Sequence, residues 1–388
     1  MTAKRLRTWI LGLLPLGLIG AFALIVARGG LVEFLRRGVP PVEQLTFDRV
    51  TLSPNSIRVE LVNGGPSPAT VAQIMVDDAF WTFTVRPSPT LPRLGRAVVE
   101  VPYPWVRGEA HEIKVLTSTG LTFTHTIDVA AETPEPGGYF FAAFGLVGLV
   151  VGVIPVAVGL LWFPFLRRLE RRWFHFALAL TAGLLVFLGA DALREAFESA
   201  DLVAGAFQGD ALVVLGALGA LLGLQVASQR RLGSEGEAGR RAVAYLIALG
   251  IGLHNLGEGL AIGAAYSLGE ATLGAFLIIG FMLHNATEGL GIVAPLAQDR
   301  PPLGTLASLG ALAGIPTVAG AWLGGLAYSP LYATLFLSIG VGAIAQVVIA
   351  LYRMVARETG GTVWTPYTAG GVVAGLLVMY GTGLMVAA

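Results

Sequence analysis

GIGLHNLGEGLAIG, residues 250–263, and GFMLHNATEGLGIV, residues 280–293, carry one polar signature in two otherwise apolar stretches set thirty residues apart. Aligned, they agree at eight of fourteen positions, which marks an internal repeat. Histidine, asparagine and glutamate are costly at membrane depth, and their duplication ties them to a polar cargo rather than to helix packing alone. Residues four apart on a helix share a face, about 6 Å apart along the axis, so His254 pairs with Glu258 and His284 with Glu288. Asn255 and Asn285 are each turned by about 100° toward a neighbouring face.

The composition around the repeat is that of a polytopic membrane protein: 388 residues, 55% hydrophobic and only 13% charged. Eight hydrophobic spans are expected at 139–165, 174–198, 209–228, 241–266, 270–296, 303–327, 330–354 and 366–387, each long enough for a bilayer core of about 30 Å. The loops between them alternate in charge. RRLERRW at 167–173 is basic, 198–210 has no Lys or Arg, 227–241 holds four Arg, and YSLGE at 266–270 has none; Arg300, a neutral YSP turn, and then Arg353 with Arg357 continue the pattern. One topology satisfies the preference for basic loops inside, with the C-terminus outside. Net charge is zero and no basic patch suits nucleic acid. Cysteine is absent, so any metal site must use nitrogen and oxygen donors or a methionine.

Two regions precede these spans. Residues 8–27 are apolar and follow Lys4, Arg5 and Arg7, which fits a first transmembrane helix or signal anchor within 1–30; cleavage near Ala21–Ala23 or Ala27 is the signal-peptide alternative. Residues 43–132 change character, alternating apolar and polar residues in SIRVELV, FWTFTV, AVVEV, HEIKVL and LTFTHTIDV. Six or seven short strands in about ninety residues suit an extracytoplasmic immunoglobulin-like β-sandwich. His111 and His125 are read as residues of solvated strand faces, neither having a second ligand at suggestive spacing. ETPEPGG at 132–138 is expected to link this region to the helical domain at 139–388.

Two helices joined by a tight turn run antiparallel. With the turn centred at Leu268–Gly269, His254 and His284 are level near the midplane, while Glu258 is displaced toward the outer face and Glu288 toward the inner one. Two carboxylates, two imidazoles and two amide carbonyls suit a divalent cation such as Zn(II), Fe(II) or Mn(II), and not Cu(I), which prefers sulfur. Asp191 and Glu195 are also four apart, near the outer end of the second core span; Glu195 is expected at a solvated or Arg194-paired helix end, and Asp191 is a candidate for cation access. Gln225 and Gln346 are expected to bond between helices, and His175 to lie at the inner interface.

HNLGEGLAIG at 254–263 and HNATEGLGIVAPL at 284–296 resemble the fourth- and fifth-helix motifs of the ZIP (Zrt/Irt-like) divalent metal transporters, in the branch related to GufA and ZupT. TAGLLVFLGADALREAFE, AGIPTVAGAWLGGL and LSIGVGAIAQVV are similar to that family's second, sixth and seventh helices. The resemblance covers 139–388 and implies an all-α, eight-helix bundle moving divalent metal, zinc foremost with iron, manganese and cadmium as alternatives, toward the cytoplasm. It also implies that His254, Asn255, Glu258, His284, Asn285 and Glu288 are ligands, with Asp191 near the outer mouth. The chain departs from the family pattern where Gly257 and Thr287 replace the motif prolines, Arg194 replaces a histidine, and Thr317 takes the place of a frequent sixth-helix glutamate that bears on a second, bridged metal.

The function expected is therefore a secondary metal carrier of a bacterial cytoplasmic membrane, not an enzyme and without a prosthetic group. No Walker lysine motif is present, and the HExxH pattern of zinc proteases is missing. The alternative is a metal-sensing receptor or assembly factor whose outer sandwich binds a partner. A homodimer is compatible with the sequence.

Overall fold

A computed structural model describes residues 13–22, 24–25, 42–133, 135–232, 236–267, 271–327 and 329–387. The chain forms two units, 1–42 and 43–388. In the first, Leu13–Phe22 is an apolar helix; the rest of the span expected at 8–27, apart from residues 24–25, lies outside the described residues, as does the turn at Leu268–Gly269.

Residues 45–127 form nine strands: β1 (Leu45–Ser53), β2 (Ser56–Asn63), β3 (Ala69–Val76), β4 (Ala79–Trp81), β5 (Thr84–Arg86), β6 (Thr90–Leu91), β7 (Arg96–Val101), β8 (His111–Thr117) and β9 (Thr122–Ile127). One sheet has the order β1-β2-β7-β5, the other β4-β3-β8-β9 with β6 also paired to β3. Period-two alternation drives both: Ile57, Val59 and Leu61 of β2 and Ile74, Val76, Ile113 and Val115 of β3 and β8 close a single apolar core between the sheets.

The same alternation corrects the expectation for His111. HEIKVLT puts His111 on the inward face with Ile113 and Val115, and it is only 4% exposed. The Val106 N–H points at Nε2 at 3.4 Å, so Nδ1 carries the proton and donates to Asp77 Oδ2 at 2.7 Å. Tyr103 donates to the same oxygen at 2.6 Å and the Glu112 N–H to Oδ1 at 2.9 Å. Asp77 and Asp78 both have positive φ and form the two-residue turn from β3 to β4, a conformation aspartate tolerates. His125 is half-buried and stacks on Phe47 with ring centroids 5.2 Å apart.

The helices are α1 (Gly138–Leu166), α2 (Arg171–Asp201), α3 (Gly209–Leu232), α4 (Gly236–Ser267), α5 (Ala271–Val293), α6 (Leu303–Ala327), α7 (Pro330–Glu358) and α8 (Pro366–Ala387). Seven, α1 to α7, contain segments long and apolar enough to cross a membrane; α8 has a shorter apolar stretch, Pro366–Gly381. The expected spans are matched within a few residues. α2, α4 and α7 extend past their apolar windows, and α5 ends before Pro295 in a 3₁₀ turn, Ala294–Leu296. α1 is interrupted by a π-helical turn at Leu149–Val153.

Glycine sets how closely these helices pack. A Cβ on Gly252, Gly259 or Gly263 of α4 would lie 2.2–2.3 Å from the carbonyl oxygens of Leu312, Thr317 and Ala321 of α6. Reciprocally, a Cβ on Gly320 or Gly324 would lie 2.2 Å from those of Leu256 and Leu260. The two backbones touch directly and run parallel. The β-sandwich joins the end of the same pair: Arg49 donates from Nη1 to the Leu326 carbonyl at 2.7 Å and from Nη2 to that of Gly325 at 3.3 Å. This cation satisfies orphan carbonyls at the negative end of α6. We call this the sandwich end of the helices.

Two outcomes follow from these contacts. Gly320→Val must displace the α4 backbone, and thermal unfolding of the full chain should show a loss of about 3 kcal/mol. Burial pushes the Asp77 carboxyl up, but hydrogen bonds from Tyr103, the Glu112 N–H and His111 outweigh it and leave it below the ordinary value of 3.8. A carboxyl depressed in the folded state stabilises above its unfolded value, and this is lost as pH falls through the folded one. Acid unfolding followed by tryptophan fluorescence should therefore lose part of its dependence below about pH 4 in Asp77→Asn, which preserves the turn.

Candidate metal centre

α4 and α5 carry the two motifs into the interior, where His254, Asn255, Glu258, Asn285 and Glu288 are all buried and His284 nearly so. The imidazoles face each other with ring centroids 6.3 Å apart. Glu258 reaches back between them. Its Oε1 lies 3.2 Å from His254 Nε2 and in close hydrogen bond with His284 Nε2, while Oε2 accepts from Asn285 Nδ2 at 2.9 Å. One donor atom from each of His254, Glu258 and His284 falls within 4.8 Å of the others.

The asparagines are held by irregularities in neighbouring helices. Asn285 Nδ2 also donates to the Val151 carbonyl at 3.0 Å, inside the π turn of α1, where the regular hydrogen-bond ladder is broken. Asn255 Nδ2 donates to the Ala313 carbonyl at 3.1 Å, three residues before Pro316 inside α6. Since a carbonyl can only accept, each amide is fixed with its NH₂ on the helix backbone and its oxygen elsewhere. Both Oδ1 atoms are buried without a hydrogen bond, as are Nδ1 of His254 and both carboxylate oxygens of Glu288, whereas His254 Nε2 has Glu258 Oε1 at 3.2 Å. Buried polar atoms are ordinarily satisfied, and the four oxygens among these, two amide and two carboxylate, are acceptors of the kind a cation can engage.

The donor set fits a divalent cation of the zinc type. Two ligands bonded at about 2.0–2.1 Å in a tetrahedral shell stand about 3.3 Å apart, close to the 3.2 Å between His254 Nε2 and Glu258 Oε1. The closer His284–Glu258 contact would open as both turned to the ion. The Asn285 and Asn255 oxygens are further neutral donors.

The expected ladder is present in altered form. Glu258, on the sandwich side of the histidines, folds onto them, so that rung and histidines make one cluster. Glu288 stands apart, on the other side, beside Asn255 and in a small space of about 10 Å³ with Thr181, Ile251 and Met379. That volume is about one water. Toward the sandwich end, by contrast, a cavity of about 680 Å³ leads down to His284 between α2, α4, α5, α7 and α8.

Acidic groups of α2 line that cavity. Asp191 is half exposed and its Oδ1 accepts from Arg194 Nη2 at 3.0 Å; Arg194 Nη1 holds Glu198 at 2.5 Å. Glu195, expected at a solvated or Arg194-paired helix end, lines the cavity, half-buried, and makes no ion pair among the described residues. Sequence reasoning missed it as a site residue. The available signal was the small buried stripe of Ala192, Ala196 and Ala200, which turns the adjacent Glu195 toward the bundle. Thr317 is buried against Gly152 of the π turn, with Oγ1 making no hydrogen bond. Gln225 bonds between helices as expected, accepting from Arg353 Nη1 at 3.3 Å.

His284→Ala removes one donor to a buried carboxylate and should cost about 1–3 kcal/mol in metal-free protein. Zinc at about a hundred times its dissociation constant should raise stability by about 2.7 kcal/mol in the wild type. That gain should fall below about 1 kcal/mol in the variant at the same zinc concentration, measured by thermal unfolding with and without chelator. No protein-family model and no curated protein matches this chain.

Proposed function

We propose that the chain is a secondary carrier of divalent metal cations, zinc foremost, working through the buried cluster of His254, Glu258, His284 and Asn285. The observation that carries this is the convergence of three ligand atoms within 4.8 Å, enclosed by helices long and apolar enough to cross a membrane. Packing alone does not account for such a set, since Asn285 Oδ1 within it, and Asn255 Oδ1 and the Glu288 carboxylate beside it, are left without donors.

The charge alternation of the loops puts the sandwich end outside and the basic end in the cytoplasm. The large cavity then opens outward, and Glu195, with Asp191 and Glu198 at its rim, attracts a cation toward His284. At the cluster, Glu258 supplies charge, the imidazoles supply nitrogen, and the anchored asparagines supply oxygens that need not reorient. Release toward the cytoplasm passes Glu288, where the space is closed. A conformation open on one side of a central site and shut on the other is what alternating access requires. These features also support membership of the ZIP-like transporters.

A second reading, a metal-sensing receptor, draws on Arg49. The sandwich holds the end of α6, which packs backbone to backbone on the helix bearing His254 and Glu258. Zinc uptake into proteoliposomes separates the two. A carrier gives flux that falls at least about tenfold in His254→Ala, Glu258→Gln and His284→Ala, each losing a metal ligand. Saturable zinc binding with no wild-type flux above protein-free vesicles would refute the carrier and leave the receptor.

A further inference from the structure

At the end of the bundle opposite the sandwich, a second cavity of about 530 Å³ lies among the α1–α2 connection, the α5–α6 connection and the end of α7. Arg167, Arg171 and Arg300 line it. None of the three makes an ion pair with a carboxylate among the described residues: Arg171 donates from Nη2 to the Glu358 main-chain carbonyl at 2.8 Å, and Arg167 lies over the Phe163 ring at 5.8 Å. Glu358 also lines the cavity, so three positive groups and one negative leave a net charge of +2 there. At the same end Arg172 pairs with Glu170 at 2.8 Å and Arg240 with Asp299. Three guanidinium groups gathered around one space that holds a single carboxylate match the geometry of a phosphate, whose oxygens accept several such donors at once.

The surroundings specify what carries the phosphate. Buried Leu166, Phe174 and Ala297 form an apolar side to the cavity. Trp162, Phe165, Trp173 and Trp364 are 44–69% exposed at the same end of the helices, the amphipathic belt expected at headgroup depth. We propose that this cavity binds the phosphate of an anionic phospholipid, with the glycerol and upper acyl chains against the apolar side. A zwitterionic choline lipid would bring a quaternary ammonium toward the three guanidinium groups and is disfavoured. The inference rests on the helices spanning a membrane and is independent of what the central site transports.

The test is native mass spectrometry of the full chain in detergent, with phosphatidylglycerol or phosphatidylcholine added at equal concentration. The expected result is preferential retention of phosphatidylglycerol, reduced at least about tenfold in the Arg167→Gln/Arg171→Gln/Arg300→Gln variant and unchanged in Arg172→Gln, which lies outside the cavity. Should the triple variant misfold by size-exclusion chromatography, Arg300→Gln alone, in a connecting segment, should still reduce retention several-fold. A parallel arm adds inorganic phosphate and glycerol phosphate. If these raise the unfolding temperature of the wild type but not of the triple variant, and phosphatidylglycerol is not retained, the lipid source is overturned in favour of a soluble phosphate. Equal lipid retention by wild type and triple variant, with no response to phosphate, overturns the site altogether.

Discussion

A carboxylate cut off from water is tolerable in an apolar interior only if its charge is met locally, and the burial of Glu258 imposes that demand on everything around it. His284 and Asn285 answer from α5, and His254 answers from the same helix one turn away. Each answering group then needs its own support. Asn285 takes it from the π turn of α1, so three helices are committed to one side chain before any ligand is considered. A cation adds what this arrangement lacks, since it can engage at once the acceptors that the protein's own donors leave idle.

The hydrogen bonds from the asparagines to neighbouring backbones require close helices, and glycine makes them close. Asn255 is a short side chain, and it spans to the Ala313 carbonyl at 3.1 Å because Gly252 and Gly259 flank it on the α6-facing side. On the other flank α1 and α5 meet in the same way: a Cβ on Gly159 of α1 would lie 2.2 Å from the Ala286 carbonyl oxygen of α5, and one on Gly289 of α5 2.3 Å from that of Val156 in α1. The glycines inside the motifs thus serve the site through distance: they bring carbonyl acceptors within reach of amides that hold their oxygens ready.

The elements and their alternation were legible because they rest on period and polarity along the chain, and His254, Glu258 and His284 were legible because a repeat displayed them. Other features depend on information absent from local pattern. That Glu258 folds onto the histidines while Glu288 stays apart depends on what α1 and α8 place beside each, and identical letters in the two motifs cannot express it. The π turn at Leu149–Val153 did carry a local signal, Pro155, which has no N–H to give the Val151 carbonyl four residues before it, and that carbonyl is the one Asn285 bonds. Of the two placements expected for Glu195, a solvated or an Arg194-paired helix end, the pairing fails because an i,i+3 and an i,i+4 partner, Asp191 and Glu198, are both on the exposed face and compete better for the guanidinium than the residue next to it. His111 was an error of weighting. Its position in HEIKVLT is inward by simple alternation, and polarity alone argued otherwise.

Arg49 links these two kinds of structure. Its guanidinium bonds carbonyls that belong to the last turn of α6, and its strand, β1, pairs along its length with β2 in the sandwich. α6 in turn cannot slide along α4 without driving Gly320 and Gly324 out of the notches opposite Leu256 and Leu260, because the contact is between backbones and has no side-chain slack. The sandwich, α6 and α4 are therefore coupled in series by contacts with little give. Asp48, adjacent to Arg49 on β1, accepts from Ser329 at 3.3 Å, and Ser329 is the residue before α7. The two neighbouring side chains of one strand thus hold the end of α6 and the start of α7. A displacement of α4 and α6 relative to α7 must either stretch the Asp48 contact, the longer and weaker of the two, or carry the sandwich with α6.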